Sequence, residues 1–173
     1  MTISLYDISV ASYLQTLGAV AGYLDKGLGH CRDKGVDPGE IVETRLYADM
    51  LPFRFQIQSV VHHSVGAIEG IRRGEFKPPR DLPAHDYAAL QELVAQSRRT
   101  LESLRPGDVN AHEGSELVFE IRDRKLPFTA PEFVASFSLP NFYFHATTAY
   151  DILRSRGVPV GKRDFLGRLR MKG

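Results

Sequence analysis

Apolar residues recur at three- and four-residue steps through most of this chain, and each run outlines one face of an amphipathic helix. The first run is Val10, Leu14, Leu17, Val20 or Ala21, Leu24 and Leu28. Gly27, Gly29 and Gly35 lower helix propensity at its far end and predict a frayed exit. Asp37-Pro38-Gly39-Glu40 then reads as a helix start, with Asp37 as cap, Pro38 in the first turn and Glu40 closing a capping box. That short helix is expected to run through Leu46. Beyond Pro52, the positions Phe53, Ile57, Val60, Val61, Ser64, Ala67, Ile68 and Ile71 share a face and predict a second long helix, ending near Gly74 and the Pro78-Pro79 loop. A third starts near Asp86, turns Leu90, Leu93, Val94, Ser97, Leu101 and Leu104 inward, and stops before Pro106-Gly107.

The period then changes to two. Leu117, Phe119 and Ile121 alternate with polar positions, Asp123-Arg124 can turn, and Leu126 and Phe128 resume the alternation, which predicts a small β-hairpin. Two strands alone are marginal, so this hairpin has to lean on the helices. Thr129-Ala-Pro131-Glu132 repeats the capping-box pattern and opens a final helix that ends at Gly157, with Pro159 beyond it. At about 100° per residue, Val134, Phe137, Ser138, Asn141, Phe144, His145, Thr148 and Ile152 fall on one face of that helix, with Tyr143 and Arg154 opposite and Asp151 at an edge. Pro140 sits inside the helix and removes one backbone hydrogen bond.

Composition narrows the class without naming a reaction. The 173 residues show no repeat and no low-complexity linker, so residues 1–173 read as one domain. Apolar residues make up 43% and charged residues 25%, as in ordinary soluble proteins. A net charge of +1 speaks against broad nucleic-acid binding. No apolar run is long enough to span a membrane. The start, Met1-Thr-Ile-Ser-Leu-Tyr-Asp7, lacks the pattern of a signal peptide, and a cytoplasmic protein is expected. A single cysteine, Cys31, offers neither an internal disulfide nor a thiolate metal site, and an inert thiol is the expectation.

The candidate chemistry lies on the last helix. Ser138, Asn141, His145 and Thr148 form a polar seam inside an apolar face, and buried polar groups have to find partners. Three readings stand: a seam satisfied by neighbouring helices, a small-molecule pocket between helices, or a metal site drawing ligands from facing helices. Tyr150 adds a hydroxyl that could orient a ligand. Of the other histidines, His62 and His63 lie on the second long helix, where His63 flanks the apolar face and His62 points away. His30, His85 and His112 fall in expected termini or loops. No His-x-x-x-His or Glu-x-x-His pair occurs, and no Gly-rich phosphate loop follows a strand. The tail after Gly161 holds Lys162, Arg163, Arg168, Arg170 and Lys172 against Asp164, a set able to clamp an anion or a partner subunit, and Phe165-Leu166 should dock onto the helices.

These residues carry a family resemblance over nearly the whole length. Its marks are Leu5-Tyr6-Asp7, Arg45-Leu46, Asp49-Met50-Leu-Pro52, Gln56-Ile-Gln58 and, above all, Leu139-Pro-Asn-Phe-Tyr-Phe-His145, Thr148-Ala-Tyr150, Ile152-Leu-Arg154, Gly161-Lys162 and Asp164-Phe-Leu-Gly167. The chain resembles a bacterial family of unknown function within the DinB/YfiT-like proteins. That resemblance implies an all-α fold, an up-down four-helix bundle carrying the small β-hairpin before its last helix, assembled as a homodimer. It also implies a divalent metal such as zinc or nickel, held by one histidine of the second helix and two of the last, in metal-dependent hydrolases or thiol transferases. Here His145 matches one last-helix ligand and His63, or His62 as its alternative, the second-helix ligand. The third histidine is missing, since Asn141 and Ala149 stand four residues either side of His145. The expectation taken forward is therefore an unidentified small molecule bound around Asn141 and His145, with no cofactor, no nucleic acid and no membrane. A degenerate metalloenzyme and a non-catalytic dimeric bundle are the alternatives.

Overall fold

The computed structural model describes residues 3–79 and 82–171. A first turn, α1 (Leu5–Ile8), is closed by a capping box between Ser4 and Asp7. Helix α2 (Val10–Lys34) follows and runs unbroken through Gly27 and Gly29, so the expected fraying there does not occur. It ends instead at Gly35, whose left-handed backbone (φ 67°) suits glycine. This also places His30 inside a helix rather than in a loop.

Helix α3 (Pro38–Glu43) starts at the expected cap, with the Asp37 carboxylate accepting from the Gly39 amide, but Glu40 pairs with Arg156 instead of closing a capping box, and the helix stops earlier than expected at Thr44. Helix α4 (Phe53–His62) and helix α5 (Val65–Arg73) replace the single long helix expected from the apolar pattern. The break falls at His63–Ser64. There the Ser64 hydroxyl donates to the carbonyls of Val60 (2.8 Å) and Val61 (3.1 Å), a side-chain bond that competes with the backbone ladder. Strand β1 (Glu75–Phe76) comes next, then α6 (Tyr87–Glu102), capped by Asp86 through the Ala89 amide, and the short α7 (Pro106–Asn110).

The hairpin forms from β2 (Glu116–Ile121) and β3 (Arg124–Thr129), antiparallel with Ile121 opposite Arg124. The turn residues are thus Arg122 and Asp123, one position earlier than expected, with Arg122 at φ 52°. The pair is not alone. β1 lies parallel to β2, with Phe76 beside Phe119, so a three-stranded sheet accompanies the helices. Period-two patterning could not reveal β1, because two residues have no period.

Thr129 and Glu132 form the expected capping box for α8 (Ala130–Phe133). A π-helical segment (Val134–Ser138) then leads into α9 (Leu139–Ser155), and α10 (Lys162–Leu166) closes the described chain. The fold is mostly helical. α4 packs against α9 and α6, and α2 packs against α6, α9 and α10. Their apolar faces meet in one core that includes Tyr13, Tyr23, Phe53, Phe133 and Phe142, all fully buried.

The π-helical segment changes which residues of α9 face that core. Leu139 donates its amide to the Val134 carbonyl, five residues back, which inserts one residue into the helical repeat just ahead of Pro140. One extra residue rotates everything downstream by about 100°. The fully buried positions of α9 are Phe142, Ala146, Ala149, Ile152 and Leu153, and all but Ile152 stand one beyond the expected Asn141, His145, Thr148 and Ile152. Ile152 and Thr148 stay buried at the edge of the new face, whereas Phe144, expected inward, is 58% exposed.

Candidate functional site

The rotation splits the polar seam in two. Ser138 is the last residue of the π-helical segment and remains in the core, at 0% exposure. Its hydroxyl donates to the carbonyl of His63 (2.6 Å), the backbone group released where α4 breaks. That uses its single proton, so the Tyr13 hydroxyl, 2.7 Å away, donates to Ser138 Oγ. Three buried polar groups satisfy one another, and the chain break, the π-helical segment and α2 are tied together at that point.

Asn141, His145 and Thr148 follow the phase change and lie at the flank of α9. The Asn141 amide donates to the Phe137 carbonyl (2.7 Å), and Thr148 Oγ1 to the Phe144 carbonyl (2.8 Å), so both are partly occupied by their own helix. Tyr150 is not part of this group. It packs against Tyr23 and Phe165, with its hydroxyl 3.4 Å from the Val160 carbonyl.

His145 is held differently. Gln56 of α4, 2% exposed, donates Nε2–H to the Leu51 carbonyl (2.8 Å), which fixes the orientation of its amide. Gln56 Oε1 then faces His145 Nδ1 at 2.8 Å and, being an acceptor only, requires the proton on Nδ1. Burial pushes the His145 pKa down to about 4, so the ring is neutral at neutral pH. The second nitrogen, Nε2, therefore carries a free lone pair.

Around it stand the other histidines. The ring of His63 lies 5.8 Å from that of His145, nearly parallel at 15°. His63 is 8% exposed, and burial, with the neighbouring His62 and His145, pushes it down to about 3. Its Nδ1 is buried without a hydrogen-bond partner. His62 packs on Phe76 with its Nε2 likewise buried and unpartnered, and burial lowers its pKa too. Phe55, Phe76 and Phe137 complete an aromatic surround. The helix break explains how two adjacent histidines reach the same neighbourhood: His63 ends α4 with non-helical geometry, so the roughly 100° divergence of a continuous helix does not apply.

Among the described residues, no group of three or more His, Cys, Asp or Glu side chains comes together as a metal-binding set. His85 is elsewhere, its Nδ1 accepting from Gln58 Nε2 (2.9 Å), and His112 contacts Ser115. Cys31 is buried, and its thiol pKa is raised by that burial. Gln56 was absent from the expected site. Its only signal was its place in the Gln56-Ile-Gln58 stretch that carries the resemblance.

The family model described as a domain of unknown function, DUF1993, matches residues 5–166. The chain belongs to that family. The DUF1993 chain is also similar to a solved structure, the crystal structure of a DinB family member from Shewanella denitrificans. The TM-score is 0.80 at 28% identity, over 98% of this chain and 95% of that one. DUF1993 thus sits among the DinB-like proteins. No curated protein matches the chain.

Proposed function

We propose that this DUF1993 chain binds a small molecule against the imidazole of His145, between α4 and α9 and beside Asn141. One arrangement supports the reading: the Leu51–Gln56–His145 relay fixes the tautomer and leaves Nε2 as an oriented acceptor. A pKa near 4 makes His145 a weak general base at neutral pH, since proton transfer is most effective when the pKa lies near the working pH. Hydrogen-bond recognition is therefore the better use of it. The fold in this reading is the up-down four-helix bundle built from α2, α4 with α5, α6 and α9, acting as a cytoplasmic homodimer.

A second reading has one observation of its own. A neutral imidazole whose other nitrogen donates to an amide oxygen is the usual state of a metal-bound histidine, and His63 stacks beside it. The chain's described residues supply His63 and His145, with His62 as alternative, and a catalytic zinc needs three protein ligands. The residues do not complete that set, so hydrogen-bond recognition at His145 stays the first reading.

Untagged protein and its His145→Ala variant would be screened against a library of small polar compounds by thermal shift, with elemental mass spectrometry on both samples. A compound that raises the wild-type Tm by several degrees and leaves the variant unmoved is the expected result. Equal shifts in both, or none, would remove the proposed site. Stoichiometric zinc or nickel lost in the variant would transfer the argument to the metal reading.

A further inference from the structure

A cleft of about 510 Å3 opens between α2, α6 and the C-terminal tail, and shares no residue with the histidine site. One wall is apolar and comes from α2: Ala11, Leu14 and Gly18. The other is charged: Arg98 of α6 with Arg168 and Arg170 of the tail, against a single carboxylate, Glu102.

Three features make this a formed cavity. Gly18 lies in the interior of α2, where glycine costs about 1 kcal/mol relative to alanine. No atom lies within 4 Å of where its Cβ would stand, so close packing does not demand the glycine, and the gap it leaves is part of the cleft. Arg98 pairs with Glu102 only at 3.4 Å through Nη2, and its Nε is buried without a partner. The tail that brings the other two arginines is docked. Gln15 Nε2 donates to the Leu166 carbonyl (3.0 Å), and Lys26 pairs with Asp164 (2.7 Å). Arg170 donates to the Asp7 carbonyl (3.3 Å) and Ser12 Oγ (3.4 Å). Gly167, at φ 61°, passes so close to α2 that a Cβ would stand 3.1 Å from the Gln15 carbonyl oxygen. Arg168, fixed between these anchors, makes no hydrogen bond or ion pair with the described residues.

We infer that this cleft binds an organic carboxylate with a medium-length apolar body, such as a medium-chain fatty acid. The planar guanidinium forks of Arg98 and Arg168 match a carboxylate. The excess of three cations over one anion favours a negative head, and the α2 wall takes the hydrocarbon, which would leave inorganic phosphate without half of the contacts. A cleft of this size is ordinary for small-molecule sites.

Titration calorimetry of the full chain with decanoate tests it. Saturable one-to-one binding is expected, weakened at least tenfold both by Gly18→Leu, which fills the cleft with a good helix former, and by Arg98→Gln. Gly22→Leu is the control, since it also projects into open space on α2 but outside the cleft, and its affinity should stay at the wild-type value. Circular dichroism melting confirms that each variant folds. Wild type that binds no decanoate overturns the inference. So does binding that survives both cleft variants, or decanol or inorganic phosphate binding as tightly as decanoate.

Discussion

Two polar groups on the same stretch of chain meet opposite fates. At Ser138 every polar atom is buried and paired: the hydroxyl serves His63, and Tyr13 serves the hydroxyl. At His145, two turns later, one nitrogen is paired and tautomerically fixed, while buried atoms of His62 and His63 nearby lack partners. The first arrangement is closed and has nothing left to offer a ligand. The second keeps unspent hydrogen-bonding capacity in an aromatic surround, which is costly for stability alone and useful for recognition. What separates them is their place in the helix: Ser138 is the last residue of the π-helical segment, and His145 lies on the rotated helix beyond it.

The phase shift carries the largest expected effects. Phe142→Ala should destabilise by about 3–5 kcal/mol, as expected for a fully buried aromatic, whereas Phe144→Ala should stay within about 0.5 kcal/mol. Urea denaturation of both variants decides it, and the reverse order would mean the helix keeps its uninterrupted phase. Ser138→Ala comes next. It leaves the His63 carbonyl and the Tyr13 hydroxyl unpaired in the core, at a cost of roughly 2–4 kcal/mol from two buried groups, without altering ligand binding at His145.

Acid sharpens the open side. His63 and His145 have folded-state pKa values of about 3 and 4, below the ordinary 6.5, so the unfolded chain binds more protons between those limits. Stability contributed by the neutral rings is complete above about pH 6.5. It declines as pH falls toward 4 and 3. Between pH 7 and 5 each ring should account for on the order of 2 kcal/mol, and His145→Gln should flatten the urea midpoint's pH dependence by its share. An unchanged slope in that variant would mean His145 is more hydrated than its surroundings indicate.

Much of the fold was legible in the chain. The caps at Asp37, Asp86 and Thr129, the three apolar helix faces and the β2–β3 alternation follow from local chemistry, because a cap or an amphipathic face acts within a few residues. That Phe165 docks onto the helices was legible in the same way, from the apolar pair inside a basic tail, but its contact with Tyr150 was not, and Leu166 of the pair is exposed. The site was legible only in its membership. His145, His63 and Asn141 stood out as polar residues in apolar patterns, but their arrangement did not follow from the pattern.

The capped helix starts, the apolar faces ahead of α9, the β2–β3 hairpin and the family are set by the chain alone, since periodicity, capping and motif are local properties. Only the tertiary structure decided the phase of α9, the break at His63–Ser64, the pairing of β1 with β2 and the role of Gln56. Each of these depends on where a backbone carbonyl or a side chain finds its partner across the core. The Ser138 hydroxyl meets the freed His63 carbonyl from 75 residues away in sequence, and no local pattern encodes a bond of that length.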